Sequence, residues 1–244
     1  MSARASPIGF GRAVRDYELG RPEWPPEALD HVPLGADAEV LDLGAGTGKL
    51  TRLLAGQYRQ VVAVEPDDGM RAVITDVDAL AGVAESIPLS NRSFDGVFVG
   101  EAFHWFDGDR ALAEIARVLR PGGVLALLWN IWEEIQPPLP DEARAFIRAE
   151  TERAGPAGGS LLASGEWKRA FAGSPFEELR EVHLPNEMPL DRQRVVALFL
   201  SMSNMARLPD DERDAFATRL GELVSDEPRR LLLRLDLFWT RLRE

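Results

Sequence analysis

An α/β fold built on an open, doubly wound and mostly parallel sheet is predicted by three features of the chain. Short continuous apolar runs, typical of buried parallel strands, recur along its first half. The first of them is followed by a glycine turn at 42–48 and then by apolar residues at helical spacing, which is the order strand, turn, helix. The length of 244 residues suits a single α/β unit, so we expect one domain with insertions over 1–244.

The glycine turn reads D-L-G-A-G-T-G and directly follows the apolar pair Val40-Leu41. Glycine permits a positive φ, and without a Cβ it lets a ligand approach backbone N–H groups at the start of a helix. In an open α/β sheet, nucleotide-type cofactors bind at this position. The turn therefore predicts a cofactor site, and a turn that serves only close helix packing is the alternative.

Residue spacing narrows the choice of cofactor. A dinucleotide fingerprint needs glycine where this chain has Lys49. A phosphate-binding loop needs glycine in place of Leu43 and Ser or Thr in place of Leu50. Neither pattern is met, which leaves an NAD-linked oxidoreductase as a less favoured alternative.

The next elements continue the alternation of strands and helices. The apolar run 61–64 ends at Glu65, about 20 residues past the glycines, where a carboxylate suits ribose hydroxyls. A loop at 82–89 precedes a second apolar run at 93–99, and a helical stripe follows at 111–119. Arg-Pro-Gly-Gly at 120–123 stops that helix before a strand at 124–129. An exposed loop acid is the alternative interpretation of Glu65.

Four motifs now stand in order: D-L-G-A-G-T-G, the strand ending in Glu65, G-V-A-E-S-I-P-L followed by S-F-D, and L-R-P-G-G. Together they resemble the class I S-adenosylmethionine-dependent methyltransferases, and in particular the small-molecule group that includes trans-aconitate-type and quinone-biosynthesis enzymes. The resemblance implies a Rossmann-like sheet with an antiparallel last strand and helical lid insertions. It also implies S-adenosyl-L-methionine as cofactor, S-adenosyl-L-homocysteine as product, and in-line methyl transfer to an oxygen, or else a nitrogen or carbon, of a small molecule.

The resemblance further implies the residues that hold the cofactor. Asp42 and the glycine backbone would hold its amino acid end, Glu65 its ribose, and Met70 its adenine, with Ala84 and Glu85 also beside the adenine. The full predicted cofactor-binding set is Tyr17, Arg21, Asp42, Gly44, Ala45, Gly46, Thr47, Gly48, Glu65, Met70, Ala84, Glu85, Glu101 and Trp105.

The segment 10–26 precedes the first strand and is rich in arginine, aromatic residues and proline. Its Tyr17 and Arg21 match a Y-x-x-x-R-P stretch that forms a lid in trans-aconitate-type relatives. Arg21 would pair with the cofactor's carboxylate, because a guanidinium is a planar donor fork, and Tyr17 would shield the sulfonium. An arm that Trp24 and the prolines merely pin against the domain is the alternative.

The loop 100–106 follows the strand at 93–99 and therefore faces the cofactor site. Its His104 is the candidate catalytic residue, a general base, because histidine ordinarily titrates near operating pH. A hydrogen bond to a loop carbonyl or a place in the pocket wall is the alternative. Phe103 and Trp105 would offer aromatic faces to a sulfonium, unless they pack in the core.

Beyond the strand at 124–129 the pattern breaks, and the segments 131–175 and 186–228 are expected to be substrate-side insertions. With the arm at 1–35, they surround a cofactor-binding core at 36–130. We expect helices at 141–153, 190–205 and 210–224, a strand at 176–184, and a final strand at 231–239 whose composition also allows a helix.

Composition excludes several classes of function. The net charge of −12, from 40 acidic and 28 Lys and Arg residues, repels polyanions, so nucleic acid is not the expected acceptor. The absence of cysteine excludes disulfides and thiol chemistry, and three scattered histidines with the acidic pairs 67–68 and 133–134 predict no metal centre. No apolar run is long enough to span a membrane and residues 1–6 lack a signal-peptide core, so we expect a cytoplasmic protein. The sequence carries no signal for an oligomeric state, and a non-catalytic module that binds the cofactor remains an alternative.

Overall fold

The computed structural model describes residues 14–132, 139–155 and 162–243, and these form one sheet with helices on both faces. The strands are β1 (Glu39–Leu43), β2 (Gln60–Val64), β3 (Asp78–Leu80), β4 (Phe94–Gly100), β5 (Leu119–Ile131), β6 (Arg180–Leu190) and β7 (Arg229–Arg241). The helices are α1 (Val14–Gly20), α2 (Lys49–Gln57), α3 (Asp68–Arg71), α4 (Gly108–Val118), α5 (Asp141–Arg153), α6 (Arg192–Leu200) and α7 (Asp210–Leu223).

The strand order is β3-β2-β1-β4-β5-β7-β6. Neighbouring strands from β3 to β5 are parallel, and β7 is antiparallel to both β5 and β6. The order reverses between β1 and β4, and in such sheets the crevice outside the strands' carboxyl ends at this point takes the ligand. The predicted Rossmann-like sheet with an antiparallel last strand is confirmed.

Alternate residues of the central strands pack on opposite faces of the sheet. Leu41 and Leu43 join the apolar cluster under α4, whereas Val40 joins the cluster under α2. Continuous apolar runs are therefore required, because both faces of each strand are covered.

β6 begins and ends later than the strand expected at 176–184. Pro185 and Pro189 lie inside it and would interrupt a central strand, because proline cannot donate to the ladder. β6 is the last strand of the sheet order, where proline is tolerated. The helix expected at 190–205 is also shorter than predicted. It is α6, which ends at Leu200, and a short 3-10 turn covers Met205–Arg207.

The two predicted insertions contribute to one separate apolar cluster. Ile147 of α5, Phe199 of α6 and Phe216 of α7 pack there against the adjoining ends of β6 and β7. Parts of the predicted arm, the proline-rich segment, the glycine-rich segment after 155 and the acidic pair 133–134 lie outside the described residues.

The helices α5, α6 and α7, with the residues between α6 and α7, are named here the insertion layer. α1 contacts this layer closely at Gly20. A Cβ on Gly20 would lie 2.3 Å from the carbonyl carbon of Ala197 in α6, so only glycine fits. Arg213 of α7 also bonds Asp16 of α1 at 2.5 Å. The arm and the insertions are therefore packed together above the sheet. Across the described ranges, no helix combines the length and the apolar character that a membrane span needs.

Candidate active site

A cavity of about 490 Å³ lies at the carboxyl ends of β1, β2, β4 and β5. This volume is in the range of small-molecule sites. Tyr17 and Arg21 from the arm, and Met202 and Ser203 after α6, line it from the insertion layer. A small recess adjoins the cavity and shares several of its lining residues.

The glycine turn forms one wall of the cavity. Gly44, Gly46 and Gly48 all have positive φ, at 73°, 58° and 86°, which explains why glycine stands at these positions. Gly44 and Gly46 line the cavity, and Ala45 and Thr47 line the recess. Gly48 lines neither, and a Cβ there would meet Ile74 at 3.0 Å.

Glu65 connects the end of β2 to the glycine turn. Its Oε2 accepts a hydrogen bond from the backbone N–H of Gly46 at 2.8 Å, and its Oε1 accepts one from Asp67 at 2.9 Å. Burial raises the pKa of this carboxyl, and the two backbone hydrogen bonds oppose the rise. Each carboxylate oxygen can accept a second hydrogen bond, and Glu65 lines the cavity beside Met70 as the ribose and adenine roles require.

Three residues that line the recess each carry a buried polar atom with no hydrogen-bond partner among the described residues: Arg21 Nε, Asp42 Oδ1 and Thr47 Oγ1. The other oxygen of Asp42 accepts a 2.6 Å hydrogen bond from Thr51 Oγ1. Burial raises the pKa of Asp42 to about 7, although the Thr51 hydrogen bond opposes this. Buried polar groups normally have partners, so this group of a donor, an acceptor and a hydroxyl indicates a polar ligand.

Glu101 lies between the recess and the cavity, at the first position after β4. Its φ of 55° is unusual for a residue with a side chain, and such strain concentrates at functional sites. Oε1 accepts a 2.7 Å hydrogen bond from the Asn130 backbone. Burial raises its pKa to about 7, opposed by the nearby Arg21.

Arg21 and Tyr17 reach the site together from the end of α1. The Arg21 guanidinium lies 5.5 Å from the centre of the Tyr17 ring and donates to the Ser201 carbonyl at 2.9 Å. Burial raises the pKa of Tyr17 to about 12, so its hydroxyl stays protonated at neutral pH. Both residues line the cavity, and their role as a lid over the cofactor stays a prediction.

His104 lines the cavity and is buried, and its Nδ1 accepts a 3.1 Å hydrogen bond from the Trp129 indole N–H. Indole nitrogen can only donate, so this bond assigns the neutral imidazole a proton on Nε2. A base at Nδ1 would require that the Trp129 bond be broken. Trp105 lines the cavity as expected, whereas Phe103 is buried in the core against Trp167.

Ala84 and Glu85 are not among the residues that line the cavity or the recess. Ala84 is buried in the core under α4. Glu85 Oε1 accepts a 2.7 Å hydrogen bond from the backbone of Asp107, the residue that caps α4. Their adenine contacts stay a prediction.

Several lining residues were not predicted from the sequence. Asn130 and Ile131 end β5, and Trp132 follows it. The sequence could have indicated them, because residues at the carboxyl end of a buried parallel strand border the ligand crevice. Leu162 and Met202 come from the insertions, where no local pattern distinguishes a lining residue from a packing residue.

The sequence predicted no metal centre, and the structure brings together one histidine and two acids. Glu181, His183 and Asp236 place ligand atoms within 4.8 Å of one another on the outer strands. Arg234 Nε lies 2.6 Å from Asp236 Oδ1, so a positive charge already neutralises this carboxylate. None of the three lines the cavity.

Residues 41–127 match a family model described as a methyltransferase domain. An uncharacterized methyltransferase of Mycobacterium tuberculosis is 38% identical over 231 residues, which cover 93% of this chain and 90% of the relative. An uncharacterized methyltransferase of Schizosaccharomyces pombe is 33% identical over 229 residues, covering 90% and 88%.

Two solved structures share the fold. A candidate type II methyltransferase from Anaeromyxobacter dehalogenans has a TM-score of 0.66 at 24% identity, covering 91% of this chain and 98% of its own. The phosphoethanolamine N-methyltransferase 2 of Haemonchus contortus, solved with S-adenosylhomocysteine and phosphomonomethylethanolamine, has a TM-score of 0.58 at 15% identity, covering 98% and 61%. None of these proteins identifies the trans-aconitate or quinone-biosynthesis group in particular. The sequence relatives across nine-tenths of the chain, the matched domain and the shared fold together show that this chain belongs to the class I S-adenosylmethionine-dependent methyltransferases.

Proposed function

We propose that this chain binds S-adenosylmethionine and methylates a small molecule, on oxygen or else on nitrogen or carbon. The observation that carries the proposal is that three residues lining the recess, Arg21, Asp42 and Thr47, each carry a buried polar atom without a hydrogen-bond partner among the described residues. The amino acid end of this cofactor carries one carboxylate and one ammonium. A guanidinium N–H suits the carboxylate and a buried carboxylate oxygen suits the ammonium, with a hydroxyl able to serve either.

The rest of the cavity fits the remainder of the same molecule. Glu65 accepts two backbone hydrogen bonds and keeps acceptor capacity for ribose hydroxyls. Met70 is a buried, polarizable apolar residue beside it, suited to an aromatic base. When bound, the cofactor supplies a methyl group already activated by the positive charge on sulfur.

The protein's own contribution is then mainly alignment of two reactants and exclusion of water. The arm contributes Tyr17 and Arg21 to the cavity wall, and the insertion layer contributes Met202 and Ser203. Both would help to exclude water from the bound reactants. His104, with Nδ1 bonded to Trp129, would orient the acceptor through Nε2–H, whereas the predicted base role needs the Trp129 bond to be lost. Glu101 is the alternative proton acceptor, because its raised pKa of about 7 suits a base at neutral pH.

Titration calorimetry with S-adenosylhomocysteine tests the cofactor assignment. Glu65→Ala removes the carboxylate proposed to accept the ribose hydroxyls, together with its hydrogen bonds from the Gly46 and Asp67 backbone, so we expect affinity to fall at least about ten-fold. Gly46→Val should abolish binding, because it strains a φ of 58° and adds bulk toward Met70 and Tyr17. Glu178→Ala, an exposed acid elsewhere, is the matched control.

Unchanged affinity in folded Glu65→Ala and Gly46→Val proteins would remove the basis for the cofactor site. NAD titrated in parallel addresses the oxidoreductase alternative, for which we expect no binding. Release of S-adenosylhomocysteine with a broad panel of acceptors separates an enzyme from a binding module, because the module would bind tightly without turnover.

A further inference from the structure

We propose that the methyl acceptor is an uncharged, lipophilic hydroxyl compound, with a phenol as the simplest case. This inference rests on the proposed function, because it assigns to the acceptor the part of the cavity that lies away from the predicted ribose, adenine and glycine-turn contacts of the cofactor.

That part, named here the acceptor side, extends from the loop after β4 to the end of β5 and the residues after α6. Glu65, Met70 and the glycine turn line the opposite side, at the ends of β1 and β2. Since β4 and β5 follow β1 in the sheet, the two sides adjoin at Glu101. An acceptor here would lie beside the cofactor and share with it only Glu101 and Trp105 of the predicted cofactor-binding residues.

The walls of the acceptor side are largely aromatic and aliphatic. Trp105, Phe106 and Trp132 supply aromatic rings, and Leu162 and Met202 supply aliphatic and thioether surface. The Phe106 ring also reaches the glycine turn, because a Cβ on Gly44 would lie 3.3 Å from its Cζ. Aromatic rings and a polarizable sulfur both favour contact with another flat ring.

Two of these rings are held in place by other aromatic side chains. Trp132 meets Phe199 of α6 edge-on, with the ring centres 6.4 Å apart at 82°. Phe106 meets the core residue Phe103 at 5.7 Å and 65°. Supported rings lose little further freedom when a ligand binds, so this apolar surface is formed in advance.

Charge lies on the cofactor side and, through Glu101, at the boundary between the two sides. Of the cavity-lining residues within the described ranges, only Arg21, Glu65 and Glu101 are of the arginine, lysine, aspartate or glutamate types, and His104 is the one histidine. Arg21 bonds the Ser201 carbonyl, and Glu65 bonds the glycine turn. A charged group held beyond Glu101, among the aromatic and aliphatic walls, would thus lose its hydration without gaining a counterion there, which is unfavourable.

The polar groups of the acceptor side suit a hydroxyl. His104, Asn130 and Ser203 line it with one imidazole, one amide and one hydroxyl group. A hydroxyl both donates and accepts, and a few polar groups in an apolar pocket fix a ligand's orientation. The combination selects a neutral molecule with an apolar body and one hydroxyl.

Three probes that share a naphthalene body test the inference: 2-naphthol, 2-naphthoate and 2-naphthylmethylammonium. Each is titrated against N-phenyl-1-naphthylamine, a neutral fluorescent dye, on full-length protein saturated with S-adenosylhomocysteine. We expect 2-naphthol to displace the dye with at least about ten-fold higher affinity than either ion. Equal or tighter displacement by the carboxylate or the ammonium overturns the proposal.

Met202→Lys provides a gain of function in the same assay, because it adds a cation to the acceptor side. We expect it to bind 2-naphthoate at least about ten-fold more tightly than the original chain does, and 2-naphthol more weakly. Leu232→Lys, at an exposed apolar residue on β7, is the matched control and should change neither affinity. No change in Met202→Lys overturns the placement of the acceptor side.

Binding of S-adenosylhomocysteine, measured first on each protein, separates the two proposals and reports folding. If the original chain does not bind it, the proposed function fails. If the original chain binds it but 2-naphthol does not displace the dye, only the acceptor class fails.

Discussion

Asp42→Asn is expected to stabilise the cofactor-free protein at alkaline pH while it weakens cofactor binding. Asp42 is 1% exposed, and burial raises its pKa from 3.8 to about 7, with the Thr51 hydrogen bond opposing. An acid whose pKa is raised by folding holds its proton longer in the folded state than in the unfolded state. Stability is therefore lost as pH rises from about 4 to about 7, and the full loss is present above pH 7.

The size of this effect follows from the interval between the two pKa values. Each pH unit inside it changes the free energy of unfolding by about 1.4 kcal/mol. The loss between pH 5 and pH 8 is therefore about 3 kcal/mol. Asparagine has the same shape, can accept the Thr51 hydrogen bond and does not ionise, so the loss should be absent in the variant.

The assay is urea unfolding of both proteins, without cofactor, at pH 5 and pH 8. We expect the stability advantage of Asp42→Asn to grow by about 3 kcal/mol between the two conditions. Asp214→Asn, at an exposed acid of α7, is the control and should show no such growth. In calorimetry, S-adenosylhomocysteine should bind the Asp42→Asn protein at least about ten-fold more weakly, because a charged hydrogen bond is replaced. A pH-independent difference in stability would refute the reasoning that burial holds the proton on the Asp42 carboxyl, of which only one oxygen has a hydrogen-bond partner.

Two further predictions concern the insertion layer and the histidine. Gly20→Ala should reduce the free energy of unfolding by about 1–3 kcal/mol and weaken S-adenosylhomocysteine binding, because its Cβ would lie 2.3 Å from α6 backbone and displace the arm. Gly56→Ala, in α2 with no atom within 4 Å of the new Cβ, should instead be neutral or stabilising, and equal effects of the two would argue against the close contact. Nitrogen-15 NMR of the imidazole should show His104 protonated on Nε2, with a changed tautomer balance in Trp129→Phe; a proton on Nδ1 in the original chain would contradict the assignment.

Local patterns predicted the elements whose formation depends on neighbours in the chain. The strand and turn around Asp42, the helix α5 at its observed bounds and α7 within one residue follow from apolar spacing, glycine and helix-start signals. β6 was misplaced because proline stops a strand only in the sheet interior, and the sequence does not say which strand lies at the edge.

The sequence alone predicted the position and class of the cofactor site, because the glycine turn, Glu65 and their spacing are properties of one continuous segment. Only the tertiary structure decided what surrounds that site. It brought Arg21 and Asp42 to one recess, bonded Trp129 to His104 and put Met202 into the cavity wall. These contacts join residues far apart in the chain, and they depend on strand order and on the packing of the insertion layer. Hydrophobic periodicity reports which face of an element is buried and carries no information on which distant element covers it.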